Sequence, residues 1–235
     1  EGGLAVEADM TLAKGLAVST DIRVQSKQVH VKRLQMRDAG TDAVFTFRTT
    51  GETAPWQITF EGTVDAATLD GMNLQNRIRA GSVTGDIAVE LNREAMGRSR
   101  IAGTLSARGI DIPETPFGTL QLPEASVQAE KNRITIPAAT IKWDESQINL
   151  SGRAALSSEA LKLDMAVAAD TLDIDKLLLL LEKQTTASGT PPPARTQHPA
   201  VEGRATVQIN DLAMGGYRYA GVEARVEKVK DNTSV

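Results

Sequence analysis

Cysteine is absent from the 235-residue chain, which removes disulfide scaffolds, thiolate metal sites and cysteine nucleophiles together. Aromatic residues make up 3%, so the apolar material is Val, Ile, Leu, Ala and Gly. That scarcity speaks against an all-β carbohydrate-active enzyme, which would set a carboxylate pair in an aromatic-lined cleft. There are two histidines. His30 falls on the polar face of a strand pattern and His198 in a proline-rich stretch, and neither has convergent partners for a metal or a triad. No apolar run approaches the roughly 18 residues of a membrane span. Net charge is −4, with acids and bases interspersed. The clustered basic face of a nucleic-acid binder is therefore missing, as is a polybasic membrane-surface patch. So are the phosphate loop, the dinucleotide fingerprint, the nucleophile elbow and the zinc-helix motif. The sequence reads as a non-enzyme that needs no cofactor and no metal.

Strict two-residue alternation is the dominant pattern. Leu4, Val6, Ala8, Met10 and Leu12 share one face, against Ala5, Glu7, Asp9 and Thr11. Leu16, Val18, Ile22 and Val24 repeat it, then Trp56, Ile58, Phe60, Gly62 and Val64, then Val83, Gly85, Ile87, Val89 and Leu91. Ile101, Gly103, Leu105 and Ala107 follow, with Ile148, Leu150, Gly152 and Ala154 after them. Leu161, Leu163, Met165, Val167 and Ala169 make a further run, and Val201, Gly203, Ala205, Val207 and Ile209 another. Val222, Ala224 and Val226 close the series. Side chains alternate faces along a strand, so each run describes one buried and one wet face. Two runs lose phase, one over residues 29–34 and one over residues 136–141. An inserted residue does this, and Pro137 marks the second as a bulge or edge.

Short connections rich in Gly, Asn, Asp and Ser, such as Asp38-Ala39-Gly40, Lys131-Asn132 and Asp144-Glu145-Ser146, join these runs as hairpins. The expectation is an all-β antiparallel meander with more than half its residues in strands. Helix is expected chiefly over residues 175–183, where Leu177 to Leu181 follow an acidic stretch and Asp173 or Asp175 can serve as N-cap. Capping also explains the Asp173-Ile174-Asp175 pair better than cation binding does, since a calcium loop needs more oxygen ligands at set spacing. One short turn is expected at Asp65 to Asp70. The organisation expected is a β segment over 1–183, a Pro-rich linker or loop over 184–200 and a further hairpin of the same sheet over 201–235. Both ends read as cut from a longer chain, which places any targeting or anchoring element outside it.

Gly62, Gly85, Gly103, Gly152 and Gly203 recur mid-strand on the apolar face, where glycine weakens a strand and wants a reason. Twist and close packing supply one. Room for an apolar ligand lying along the sheet supplies the other.

The segment from Ala200 through Val201-Glu202-Gly203-Arg204-Ala205-Thr206-Val207-Gln208-Ile209 to Tyr217, followed by Gly221 to Val226, resembles the closing repeat of AsmA-like proteins. So does Ile148-Asn149-Leu150-Ser151-Gly152-Arg153-Ala154, continuing through Leu161-Lys162-Leu163-Asp164 to Leu178. The resemblance covers the last hundred residues well and the first hundred in style. It implies a bacterial envelope protein, tethered to the inner membrane by a segment outside this chain and extending through the periplasm. It implies a twisted, taco-like β groove that carries phospholipid or other acyl lipid, with an outer-membrane or envelope protein as a further partner. The groove lining would be the aliphatic face. The family has no catalytic residues to carry over. The rival reading is a non-enzymatic scaffold for outer-membrane biogenesis, in which the sheet closes into a dry sandwich.

Overall fold

The computed structural model describes residues 3–12, 15–25, 28–51, 53–71, 77–115, 118–157, 160–176, 178–179 and 200–228. Strands take up 79% of it, well above the half expected. They are β1 (Gly3–Thr11), β2 (Ala17–Gln25), β3 (Gln28–Arg37), β4 (Asp42–Thr49), β5 (Trp56–Asp65), β6 (Ala80–Leu91) and β7 (Arg100–Thr115). After them come β8 (Gly118–Glu130), β9 (Arg133–Trp143), β10 (Ser146–Leu156), β11 (Ala160–Asp173), β12 (Ala200–Met214) and β13 (Tyr217–Lys228). Every strand pairs with its sequence neighbour, giving one open sheet in the order β1 to β13 that does not close on itself. At ~4.8 Å per strand the twelve spacings span about 58 Å.

One junction departs from the antiparallel pattern. β11 and β12 run parallel, with Ala160 beside Ala200 and Asp173 beside Ala213. A hairpin turn reverses the chain, whereas a parallel neighbour needs a long connection back along the sheet. Residues 174–199 are long enough to cover the ~45 Å of β11. The 184–200 linker lies, apart from Ala200, outside the described residues. Of the helix expected over 175–183, residues 174–176 and 178–179 are helical and the remainder lies outside the described residues. Asp173 does cap it, accepting the Lys176 N–H at 2.9 Å. The short turn near Asp65 is α1 (Ala66–Gly71), and Asp65 accepts the Ala67 N–H at 2.8 Å.

Both expected phase breaks are bulges. Lys32 is the extra residue in β3, since Asp21 faces Arg33 while Ile22 faces Val31. In β9 the register slips at Pro137, where Leu150 faces Ala139 and Gly152 faces Ile136. Further shifts fall between Ala80 and Ser82 of β6 and between Gln121 and Glu124 of β8. The shifts in β6 and β8 fall at the same level of the sheet, since Ala80 faces Asp111 and Asp111 faces Gln121. Bulges bend strands and increase twist, which supplies the curl of the sheet.

Packing is uneven. Leu16, Val18 and Met36 form a buried cluster with Leu12, Leu34, Phe45 and Val64 against it. Leu16 is 1% exposed. Phe45 and Phe60 stack with centroids 4.9 Å apart, and Phe47 meets Trp56 edge-on at 5.8 Å. Buried Thr41 and Thr68 share a hydrogen bond of 2.6 Å, and Thr68 also donates to Asp38 at 2.7 Å, tying α1 to the β3–β4 turn. The total accessible surface is 16089 Å², where a compact protein of this mass would expose about 10,000 Å².

Candidate functional site, the uncovered apolar face

Directly paired residues share a face, so the registers decide whether the apolar rows of separate strands join. They do. One row runs Val64, Val83, Ala107, Ala125 and Ala139 across β5 to β9. It continues through Leu150, Val167, Val207 and Ala224 to β13. The parallel junction preserves it, because Leu163 faces Gly203, Met165 faces Ala205 and Ala169 faces Ile209.

All the residues expected to line a groove lie on this one face. Val6 and Ala8 of β1 sit beside Ile22 and Thr20, with Val18 further along β2. Ile58, Phe60 and Gly62 face Val89, Ile87 and Gly85 in turn, with Val83 beyond. Ile101, Gly103 and Leu105 continue from Val89, Ile87 and Gly85. Ile148, Leu150 and Gly152 face Ala169, Val167 and Met165, while Leu163 faces Ala154. Gly203, Ala205, Val207 and Ile209 complete the set. Thr20 interrupts the face in β2, and its buried hydroxyl has no hydrogen-bond partner among the described residues.

Two further strands, absent from the alternating runs of the sequence analysis, belong to this face. β4 contributes Ala43, Phe45 and Phe47, whose alternation was available. β8 contributes Leu120, Leu122 and Val127, but the pattern changes phase near Pro123, so no strict alternation marks it.

Burial identifies the inner side of the curl. Along β11, Leu161, Leu163, Met165 and Val167 are half-buried, while Lys162, Asp164 and Ala166 opposite are exposed. In β6 even the small Ala88 is exposed although Ile87 and Val89 are not. Among the described residues no second sheet covers this face, so the dry sandwich of the scaffold reading is not formed by them. The outer face is polar and held by cross-strand pairs, such as Thr46 with Thr59 at 2.7 Å and Thr63 with Thr84 at 2.9 Å.

The strand glycines have a backbone role. Gly62 has φ 113° and Gly103 φ 114°, a region that suits glycine. A Cβ on Gly62 would drive into the Asp42 carbonyl oxygen, and one on Gly103 into that of Asp86. The neighbouring strand, rather than room for a ligand, accounts for them.

The two lips of the curl differ electrostatically. The first lip carries the turns that follow β1, β3, β5, β7, β9 and β12, and several of its carboxylates are engaged. Asp38 accepts the Thr68 hydroxyl and the Gly40 and Thr41 N–H groups, which hold it below the ordinary carboxylate range. Arg37 does the same for Asp42. Lys176 does it for Asp144, and the Gln147 N–H for Asp170. Asp175 accepts the Gly215 N–H at 3.0 Å. Lys176 also lies over Trp143, 5.7 Å from the ring centre. The second lip carries the turns after β2, β4, β6, β8 and β10. There Arg98, Arg100 and Lys131 surround a depression of about 410 Å³ together with Gly97, Ser99 and Asn132.

Comparison with known proteins finds no matching family model, no matching curated protein and no matching solved structure. The AsmA-like resemblance rests on the residues that carry it.

Proposed function

We propose that the chain is a segment of an AsmA-like envelope protein that binds or conducts lipid acyl chains along its inner apolar face. The observation that carries this is the apolar face that runs in register across the sheet, on which no second layer packs among the described residues. An exposed apolar surface of such extent normally marks a binding site. Its dimensions suit the cargo. One leaflet's acyl region is about 15 Å deep, half a hydrocarbon core of ~30 Å. Beyond the packed first strands, the seven spacings from β6 to β13 give about 34 Å of face at ~4.8 Å each, room for roughly two tails in series. Half-buried Val, Ile and Leu would exchange water for methylenes at about 0.8 kcal/mol per CH₂, enough to hold a tail without a polar anchor.

On this reading the protein works in the periplasm, held to the inner membrane by a segment outside this chain, and no step is catalytic. A second reading, a non-enzymatic assembly scaffold, draws on β1 and β13, whose outer edges are unpaired within the sheet and whose Leu4, Tyr217 and Val226 are exposed. Native mass spectrometry of the chain purified from bacteria separates the two. Bound phospholipid or fatty acid supports the groove. A lipid-free chain that also takes up no fluorescent fatty acid favours the scaffold.

A further inference from the structure

An edge strand presents a row of backbone N–H and C=O groups, and native proteins blunt it with charge, proline or short length. The two edges of this sheet differ in that respect. β1 carries Glu7 and Asp9, its only charged residues, together on the outer face. β13 is longer and has no proline, and its Tyr217, Tyr219 and Val226 are exposed. Along its outer face the charge alternates in sign, from Glu223 through Arg225 to Glu227. Within the sheet Glu227 faces Arg204, but Glu223 faces the uncharged Gln208 and Arg225 the uncharged Thr206. Glu223 and Arg225 are exposed and enter no salt bridge among the described residues. Nor does any described residue pair with the outer edge of β13.

A strand added to that edge must keep apolar residues beside apolar ones, which restricts the register to alternate positions. For an antiparallel second copy of β13, charge selects among them. Registers centred on Glu223 or on Arg225 set each of those residues opposite its own kind. The register centred on Ala224 sets Glu223 opposite Arg225 twice and Val222 opposite Val226 twice. One centred on Val226 leaves Glu223 unmatched and brings Lys228 against Ala224. We propose that β13 pairs with β13 of a second copy about a two-fold axis at Ala224. The contact is isologous and therefore closed. The second copy contributes its Val222, Ala224 and Val226 to the inner apolar rows, which run on from one sheet into the other. β1 is unsuited to the same contact, because full overlap with itself sets Glu7 opposite Glu7. A β13–β1 contact would build an open filament. Laid on Glu223 to Glu227, Glu7 and Asp9 meet one glutamate for each arginine, so that contact gains nothing from charge. Gly221, with φ 65°, bends β13 beyond Val222 and confines regular pairing to residues 222–226. Such a contact is smaller than a standard interface, and the dimer should be weak and concentration-dependent. The pairing holds whether or not the inner face carries a ligand.

Analytical ultracentrifugation of the whole chain over a concentration series tests this. Wild type should pass from monomer to dimer and no further. Glu223→Arg and Arg225→Glu each turn two attractive pairs into repulsive ones, and each should raise the dissociation constant about tenfold or more. Combined in one chain they re-create opposite pairs, and dimerisation should return, which simple damage to the edge would not allow. Because the chain has no cysteine, Ala224→Cys introduces a single thiol. Mild oxidation should join it into covalent dimers, since residues opposed across an antiparallel pair lie within disulfide reach. Ala5→Cys, on the other edge, should stay monomeric, and equal cross-linking at both positions would mean random collision and no two-fold pair. A wild-type chain that remains monomeric even at about 1 mM overturns the proposal and leaves the edge to residues beyond Lys228 or to a different protein. A dimer that survives both single variants, or that the double variant does not restore, lies elsewhere on the molecule and overturns it too. Oligomers larger than a dimer would show an open contact and exclude the closed one.

Discussion

The first six strands and the last five solve the same problem with different materials. From β1 to β6 the inner face carries four of the eight aromatics, Phe45, Phe47, Trp56 and Phe60, close to the buried cluster of Leu16 and Met36. From β9 to β13 the face is largely Ala, Val, Leu and Gly, and its buried members are the small Ala139, Ala160 and Ala169 together with the larger Trp143 and Ile209. Large hydrophobic side chains stay exposed there, among them Val201, Met214, Tyr217 and Val226, as Leu4, Val6 and Met10 do in the edge strand β1. Large side chains fill the space inside a curl and make a core. Small ones leave a surface. One end of this sheet is thus stabilised by packing and the other chiefly by its hydrogen-bonded ladder.

Truncating one side chain at each end sharpens that contrast most. Leu16→Ala should cost about 2–5 kcal/mol, because the side chain is fully buried and leaves a cavity. Val207→Ala should cost less than about 1 kcal/mol, since its methyl groups are only half withdrawn from water. Urea denaturation of both variants measures the difference, and equal losses would mean that the far end hides a core. Gly62→Ala should come next, at about 1–3 kcal/mol, because it places a side chain at a left-handed φ against the Asp42 carbonyl.

Smaller again is Thr68→Ala. It removes a buried hydroxyl that joins Thr41 to Asp38 and should cost about 1–2 kcal/mol by thermal or urea melts. The smallest effect is on pH dependence. Asp38, Asp42, Asp144 and Asp170 are all held below the ordinary carboxylate value. Groups with depressed folded values add stability that is fully present above their ordinary pKa and lost as pH falls through the folded one. Their contribution should therefore be constant from pH 8 to about 5 and decline only below about pH 4. Because these carboxylates lie near water, the decline should be shallow. A melting temperature that falls steeply between pH 7 and 5 would point to a different titrating group.

Sequence periodicity carried the fold a long way, and particular residues mark where it stopped. Val201 to Ile209 alternate without a break, so strand, face and partner row are legible from them. Lys32 and Pro137 betray their bulges because the phase changes on either side. β8 stays hidden because its phase change near Pro123 defeats strict alternation. The parallel junction is not written in β11 or β12 at all. Strand direction there depends on residues 174–199, and a linker between domains would have the same composition. The basic depression is equally invisible, because Arg100 and Lys131 become neighbours only once β7 and β8 have paired. Glycine spacing raised the idea of room for ligand, while the carbonyl approaches at Gly62 and Gly103 give those positions a backbone cause. The apolar face itself, a property of side chains in register, was the most legible feature of the candidate site.

The central claim is that this face is open to an apolar ligand, and charge placed on it tests that most directly. Ile87→Lys and Val207→Lys put an ammonium on the inner face, whereas Glu90→Lys and Gln208→Lys put one on the outer face. Binding of a fluorescent fatty acid, with circular dichroism on the same samples, should show all four variants folded and uptake lost only for the inner pair. A lysine on an open wall can still reach water when lipid is absent, so the strands survive. In a dry core the same charge would be unpaired and cost several kcal/mol. If the inner variants unfold and the wild-type chain takes up no fatty acid, the face is a buried core and the account is wrong.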